Sequence, residues 1–360
     1  MPTISELKWQ TLTAAVNEMK SPNMFLKRIL FPVHQTVPTE DIEIHTINKG
    51  REIAPFIRKN GEAIMVGGYT SNIQTVSPPN IRIKRPFQAS ELLFGRRPGT
   101  VIHLPNARTQ LSAIQEHVAR DMQILADMVT NAEEWLCAMA LQGTITYEVE
   151  DEEVFEITYP KPADNNITMD DFLDEIPDPA EPGVMAGRLE ALIHSIKRIV
   201  SDASAPNITD AVMGSEASDA FRYLIATGEL SNFLDINKVS AGEATFNEQF
   251  NDDGVIYLGR LFGIRFWEYS RSASLNGVDT PMIRAKYMEF FSTSSASQRV
   301  LYYGAIADMK ALEGRMYQGE RFSKSWQVED PSAMFALLAS RPLPVPRRPA
   351  ATVSAKVVSG

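Results

Sequence analysis

Cysteine is almost missing from this chain: one thiol, Cys137, in 360 residues. No intramolecular disulfide can form, and Cys137 lies inside a helical pattern where it reads as a small buried apolar residue. Histidine is scarce too. His34, His45, His103, His117 and His194 are scattered, with neither the HExxH pairing nor the cysteine spacing of a zinc site. Long hydrophobic runs are absent, since no window holds the roughly 18 consecutive apolar residues of a membrane span. The opening MPTISELKWQTLTAAVNEMK has no apolar stretch ending in a small-residue cleavage site, so a soluble, cytoplasmic protein with no membrane partner is expected.

The motifs of catalysis are missing as well. There is no GxGxxG after a strand, no GxxxxGK[ST] and no GxSxG. The acidic run Asp170, Asp171, Asp174, Glu175, Asp178, Glu181 lacks calcium-loop spacing and its turn glycine. Glu133 and Glu134 stand next to each other in a helical pattern, so they do not face one another across a bond as a glycosidase pair must. No catalytic, cofactor-binding or metal site is expected, and no cofactor.

What is present is charge, unevenly spread. The net charge of −10 argues against a broad grip on nucleic acid, which needs clustered Lys and Arg. From Arg51 to Arg97 eight basic residues stand against three acidic ones, a net of +5. From Glu148 to Glu181 thirteen acidic residues stand against Lys161 alone, a net of −12. Two such segments can be separate solvated faces, or can meet within a subunit or between subunits, where complementarity sets register and partner choice. The candidate contact residues are Arg82, Lys84, Arg85, Arg96 and Arg97 on the basic side. On the acidic side they are Glu148, Glu150, Asp151, Glu152 and Glu153.

Along the chain, residues 5–19 predict a short amphipathic helix with Ser5 as its N-cap, and IEIHTI near residue 45 alternates as a strand does. Glycines at 61, 67 and 68 and the pair Pro78-Pro79 make residues 53–95 read as one long two-stranded loop. Pro105 then opens a helix whose apolar residues at 111, 114, 118, 122, 125, 129, 132, 136 and 139 form one stripe. Helical from 105 to 142, it is about 57 Å long at ~1.5 Å per residue, and Gly143 is its expected stop. No second long helix follows, so its expected partners are a sheet or smaller elements.

Ile145, Tyr147 and Val149, then Phe155, Ile157 and Tyr159, alternate as a hairpin with one apolar face to bury against that helix. After the proline-rich IPDPAEPG, a second amphipathic helix covers 185–201 through Leu189, Ile193, Ile196 and Val200. Short strands and helices alternate from 205 to 320, with a helix near 216–227 and a hairpin turn at Asn276-Gly277 in the GVIYLGRLFGIRFWEYS region. The tail RPLPVPRRPAATVSAKV reads as an extended arm.

Taken together, a short arm helix, a glycine- and proline-marked loop, SPPNIRIKRPFQASELLFGRRPG, a long helix ending ALQGTITY, an acidic hairpin, YYGAIADMKA, SWQVEDPSAM and RPLPVP resemble the phage major capsid protein E family, typified by the lambda head protein. The resemblance runs through nearly the whole chain. It implies an α+β fold of the Hong Kong 97 capsid type. It also implies an N-terminal arm (1–50), an E-loop (51–97), a spine helix with peripheral domain (98–185), an axial domain (186–320), and a return to the peripheral domain with a C-terminal arm (321–360).

The implied function is that of a major capsid protein of a tailed bacteriophage, not an enzyme. It would be made and assembled in the host bacterial cytoplasm and located in the virion. Its partner is itself, in hexamers and pentamers of an icosahedral shell. A portal, a scaffold and a protease are further expected partners, with a decoration protein as an optional one, and packaged double-stranded DNA is faced but not specifically bound. The alternatives are the shell of an encapsulin compartment and, in a different class, an unidentified hydrolase.

Overall fold

The computed structural model describes residues 9–19, 24–48, 70–88, 107–149, 153–169, 184–203, 205–226, 254–275, 278–294, 299–309, 316–329 and 333–358. The expected Ser5 cap, the Pro105 start of the long helix, the acidic run at 170–181 and the IPDPAEPG connection lie outside these residues.

Everything is arranged around one helix. Three helices matter first: α1 (Trp9–Glu18), α2 (Phe25–Leu30) and α3 (Ala107–Gln142). With 36 residues, α3 runs about 54 Å. The predicted stripe is the buried one: Val118, Met122, Leu125, Val129 and Leu136 are all in the core. Gly143 ends the helix at φ +101°, a left-handed conformation that suits glycine, and its N–H closes on the carbonyls of Met139 and Ala140. As expected of a helix without a long partner, α3 is covered by sheets and by α2.

Its N-terminal half lies under a three-stranded sheet of β4 (Ile81–Gln88), β15 (Phe322–Val328) and β16 (Ala333–Ser340), in the order β15-β16-β4. Phe87, Ala336 and Leu338 of that sheet pack with Val16 of α1 and with Val118, Met122 and Val129 of α3. The C-terminal half meets β1 (Val33–Thr36), β14 (Arg299–Tyr303) and β17 (Pro342–Pro346), ordered β1-β14-β17. It also meets the hairpin of β5 (Thr144–Val149) and β6 (Glu153–Thr158). Ile145, Ile157 and Tyr159 bury the apolar face of that hairpin in the same core as Leu136 and Leu141.

A six-stranded sheet forms the other half of the molecule. Its order is β7-β18-β13-β8-β10-β9, from β7 (Asn166–Thr168), β8 (Asp210–Met213), β9 (Val255–Leu261), β10 (Ile264–Tyr269), β13 (Tyr287–Phe291) and β18 (Val353–Lys356). On one face Ala211, Phe266, Phe290 and Val353 take up α4 (Val184–Asp202) and α5 (Ser215–Ala226), whose Leu189, Ile193, Ile196, Val200 and Phe221 are fully buried. The opposite face sends Val212, Trp267, Tyr269 and Phe291 into the α3 core.

Two expectations need correction and a third needs placing. Residues 53–95 do not make one two-stranded loop. β3 (Thr70–Val76) pairs antiparallel with β2 (Ile42–Asn48), whereas β4 pairs with β16. The break is Pro78-Pro79, and beyond it Ile81, Ile83 and Phe87 alternate inward, which ties β4 to the helix. The hairpin expected about Asn276-Gly277 forms, since β11 (Ser272–Leu275) pairs antiparallel with β12 (Val278–Pro281) across those two positions, but GVIYLGRLFGIRFWEYS is a separate hairpin whose own turn is Phe262-Gly263, both residues at positive φ (49° and 84°). Finally, the tail is extended but is no free arm. β17 pairs with β14, and β18 lies between β7 and β13, with Leu343, Val345, Val353 and Ala355 buried. Pro342, Pro344 and Pro346 fall at alternate positions of an edge strand, so their missing N–H groups leave the pairing side of β17 intact.

Candidate assembly surface

The basic candidates separate by the two-residue period of β4. Arg82 and Lys84 lie on its outer face and are exposed, and in register they oppose Ala339 and Leu337. Arg85 lies on the inner face. Its Nε is 3.0 Å from Oδ2 of Asp121, a buried carboxylate on α3, and its guanidinium sits 5.9 Å from the Phe87 ring centre. Arg82 has a looser partner, Asp308, at 3.8 Å, and Lys324 also pairs with that carboxylate. On the same outer face Trp326 and Phe335 stack with ring centres 5.5 Å apart.

Of the acidic candidates, Glu148 is exposed on β5 opposite Val154, itself 61% exposed. Glu153 begins β6 opposite Val149. Arg96, Arg97, Glu150, Asp151 and Glu152 lie outside the described residues.

Arg82 and Glu148 are brought to one place. Both line a groove of about 1060 Å³ between the 74–82 connection, the outer side of α3 and the β5–β6 hairpin. Its floor is Met128, Ala132 and Trp135 of α3. One wall is the stacked pair Tyr147 and Phe155, with ring centres 5.6 Å apart and planes 13° from parallel, next to Glu148 and Glu156. The other wall carries Arg82, Arg271 and Arg341. Arg271 is held by Asn131 Oδ1 at 3.2 Å, and Arg341 by the Ala305 carbonyl at 3.0 Å. The apolar floor continues outward along α3 through Met128 and Ile124, which are 51% and 46% exposed. An exposed apolar strip flanked by charges of both signs suits docking of a protein segment. Neither the strip nor Trp326 and Phe335 stood out in the sequence, because Ile124 and Met128 lie off the main stripe of α3 and the aromatics sit near the far end of the chain.

The adjacent carboxylates Glu133 and Glu134, which the sequence already made poor partners for acid catalysis, hold the fold together. Glu134 is fully buried, and its two oxygens accept the backbone N–H groups of Leu26 (2.8 Å) and Lys27 (2.7 Å) and the hydroxyl of Tyr269 (2.9 Å). It caps the N-terminus of α2, where the Met24 side chain supplies no cap. Burial pushes its carboxyl above the usual range against the pull of those bonds. Glu133 pairs with Lys27 Nζ at 2.5 Å and with Arg321 at 3.6 Å. Cys137, one turn on, is wholly buried and its thiol is pushed up by desolvation. Among the described residues no three His, Cys, Asp or Glu side chains are placed to share a metal ion, and no helix is long and apolar enough to cross a membrane.

Comparison with known proteins places this architecture. The proposed capsid protein of a prophage in E. coli CFT073 matches with a TM-score of 0.71 at 16% identity, over 98% of this chain and 99% of that one. A phage-related protein of Bordetella bronchiseptica RB50 matches with a TM-score of 0.50 at 11% identity, over 96% of each chain. The mature capsid of bacteriophage PhiM1 gives 0.46 at 9% identity, over 95% of this chain and 89% of that one. No curated protein matches. The fold is thus the α+β Hong Kong 97-type capsid fold. The model of the family described as phage major capsid protein E matches residues 8–357, nearly the full length, and the chain belongs to that family.

Proposed function

We propose that this major capsid protein of a phage head assembles by head-to-tail contacts in which the groove beside α3 receives a loop of the neighbouring subunit. The observation that supports this reading is the groove itself: an apolar floor, aromatic and acidic on one wall and basic on the other, on a chain of the capsid family. Repeated heterologous contacts close into rings, here hexamers and pentamers that tile an icosahedral shell around double-stranded DNA. The β2–β3 ribbon is the element that reaches across, and β4 belongs with the receiving sheet. Arg82 and Lys84 take part from the outer face of that sheet and Glu148 and Glu153 from the hairpin, while Arg96, Arg97, Glu150, Asp151 and Glu152 are candidates by their charge in the sequence alone.

The chemistry is association and not catalysis. Both oxygens of Glu134 are occupied by Leu26, Lys27 and Tyr269. The shell forms in the host cytoplasm with a separate scaffold, protease and portal.

Negative-stain electron microscopy and light scattering of the purified protein, expressed with and without neighbouring scaffold genes, test the reading. Rings or closed shells are expected. A uniform small species under every condition refutes it.

A further inference from the structure

Lys161 lies where the β5–β6 hairpin hands the chain to the six-stranded sheet. Its stem crosses Gly143, where an added Cβ would stand 3.3 Å from Lys161 Cδ. Its Nζ donates to Ser354 Oγ at 2.7 Å, and Ser354 in turn donates to Oε2 of Glu289, a wholly buried carboxylate on β13. The other oxygen of Glu289 accepts from Arg284 at 2.6 Å, and the Arg284 guanidinium stacks 3.6 Å from the Tyr287 ring centre. The charged groups that face Lys161 are therefore Glu289 of β13 and Arg284 of the turn before it. Two cations share one carboxylate, and an arginine does not give up its proton. Any relief of the surplus charge has to come from Lys161.

The backbone around it is a seam between two parts of the fold. The Tyr159 N–H bonds to the Gly143 carbonyl at 2.9 Å, Asn165 Nδ2 bonds to the carbonyls of Ala350 and Thr352, and the Met169 N–H bonds to the Lys356 carbonyl at 2.9 Å. We propose that this seam is a proton-sensitive latch, in which the buried ammonium of Lys161 favours opening at neutral pH and loss of its proton in mild alkali tightens the seam. Burial, with Arg284 acting in the same direction and Glu289 opposing, pushes the Lys161 amine down to about 8 from 10.5. In the opened seam the amine meets water and regains its ordinary affinity. Between those two values the open form holds a proton that the closed form lacks, so closure strengthens as pH rises. Below about 8 both forms hold it, and the closed seam carries the full cost of the buried charge.

Hydrogen exchange on the full-length unassembled subunit tests this, read at the amides of Tyr159 and Met169 and corrected for intrinsic rates, with a mid-α3 amide as reference. From pH 7 to pH 9 the wild type should gain about tenfold protection at both seam amides. Lys161→Met should be flat and, at pH 7, at least as protected as the wild type at pH 9, and Lys161→Arg should stay poorly protected throughout. A flat wild type, or the same pH dependence in Lys161→Met, overturns the proposal. Should Lys161→Met not fold, competitive acetylation of the wild-type subunit decides. An amine titrating near 8 supports the latch, and one with an ordinary lysine titration overturns it. Because the subunit is unassembled, neither result depends on the assembly reading.

Discussion

Glu134, at the start of the last quarter of the long helix, accepts the backbone N–H of Leu26 at 2.8 Å and so caps a helix more than a hundred residues earlier in the chain. An exposed cap contributes about 1 kcal/mol, but a buried carboxylate receiving two N–H groups and a hydroxyl leaves three unsatisfied donors behind when removed. Glu134→Ala is expected to destabilise the subunit by roughly 3 kcal/mol, and Glu134→Gln by about half that, in urea unfolding. The pH profile carries a second signature. A carboxyl raised by burial favours the folded state most below its unfolded value of 4.5, and that contribution fades as pH rises through the folded value. Glu134→Gln should therefore flatten the stability profile above pH 4.5. An Ala variant within about 0.5 kcal/mol of wild type would remove α2 capping as its role.

The basic strand divides into two kinds of arginine, and charge reversal should separate them. Arg82→Glu with Lys84→Glu acts on the outer face of β4, where Asp308 loses only its looser partner and keeps Lys324, so the subunit should melt within a few degrees of wild type while shell yield collapses, most sharply at low salt. Arg85→Glu instead places a carboxylate beside buried Asp121 and should cost roughly 2–4 kcal/mol of subunit stability before assembly is ever reached. Melting curves and particle counts on the two variants, side by side, check this. Normal shells from the Arg82/Lys84 double variant at physiological salt would sink the complementarity argument.

Two glycines differ in the same instructive way. Gly143 needs its left-handed φ and has one flexible neighbour, the Lys161 stem, so Gly143→Ala should cost about 1–2 kcal/mol. At Gly214 an added Cβ would stand 2.1 Å from the Arg284 carbonyl oxygen and 2.7 Å from Ala285 Cα, both backbone. Gly214→Ala must push apart β8 and the turn before β13 and should leave little soluble protein. Comparable expression and melting of the two variants would contradict the packing described between β8 and that turn.

Local pattern carried much of this fold. The stripe of α3, its stop at Gly143, the alternation of β5 and β6 and the face of α4 all follow from neighbours within a few residues, and each formed as its periodicity required. What the sequence could not announce was pairing across distance. β4 joins β16 some 250 positions away, and nothing in IRIKRPFQ specifies AMFALLAS beyond a shared apolar period. The candidate site suffered similarly. Charge counting put Arg82, Lys84 and Glu148 forward as candidates and the fold leaves all three exposed, but it could not see that Arg85 turns inward to Asp121, nor that Ile124, Met128 and Trp135 leave a strip of α3 open to solvent.

The tail gives the sharpest test of that limit. Four prolines in nine residues suggest an extended arm, yet β17 carries Leu343 and Val345 into the α3 core and β18 is an interior strand of the six-stranded sheet, bonded on both sides. Removing everything after Ser340 would strip Val353, Ala355 and Val357 from the core under α4 and α5 and expose the edges of β7 and β13. Each such apolar side chain contributes about 1.5–3 kcal/mol when buried, against a total stability of only 5–15 kcal/mol for a typical domain. The truncated chain is expected to be insoluble, or to lack cooperative unfolding by circular dichroism, whereas a flexible arm would leave a folded subunit with an unchanged melting temperature.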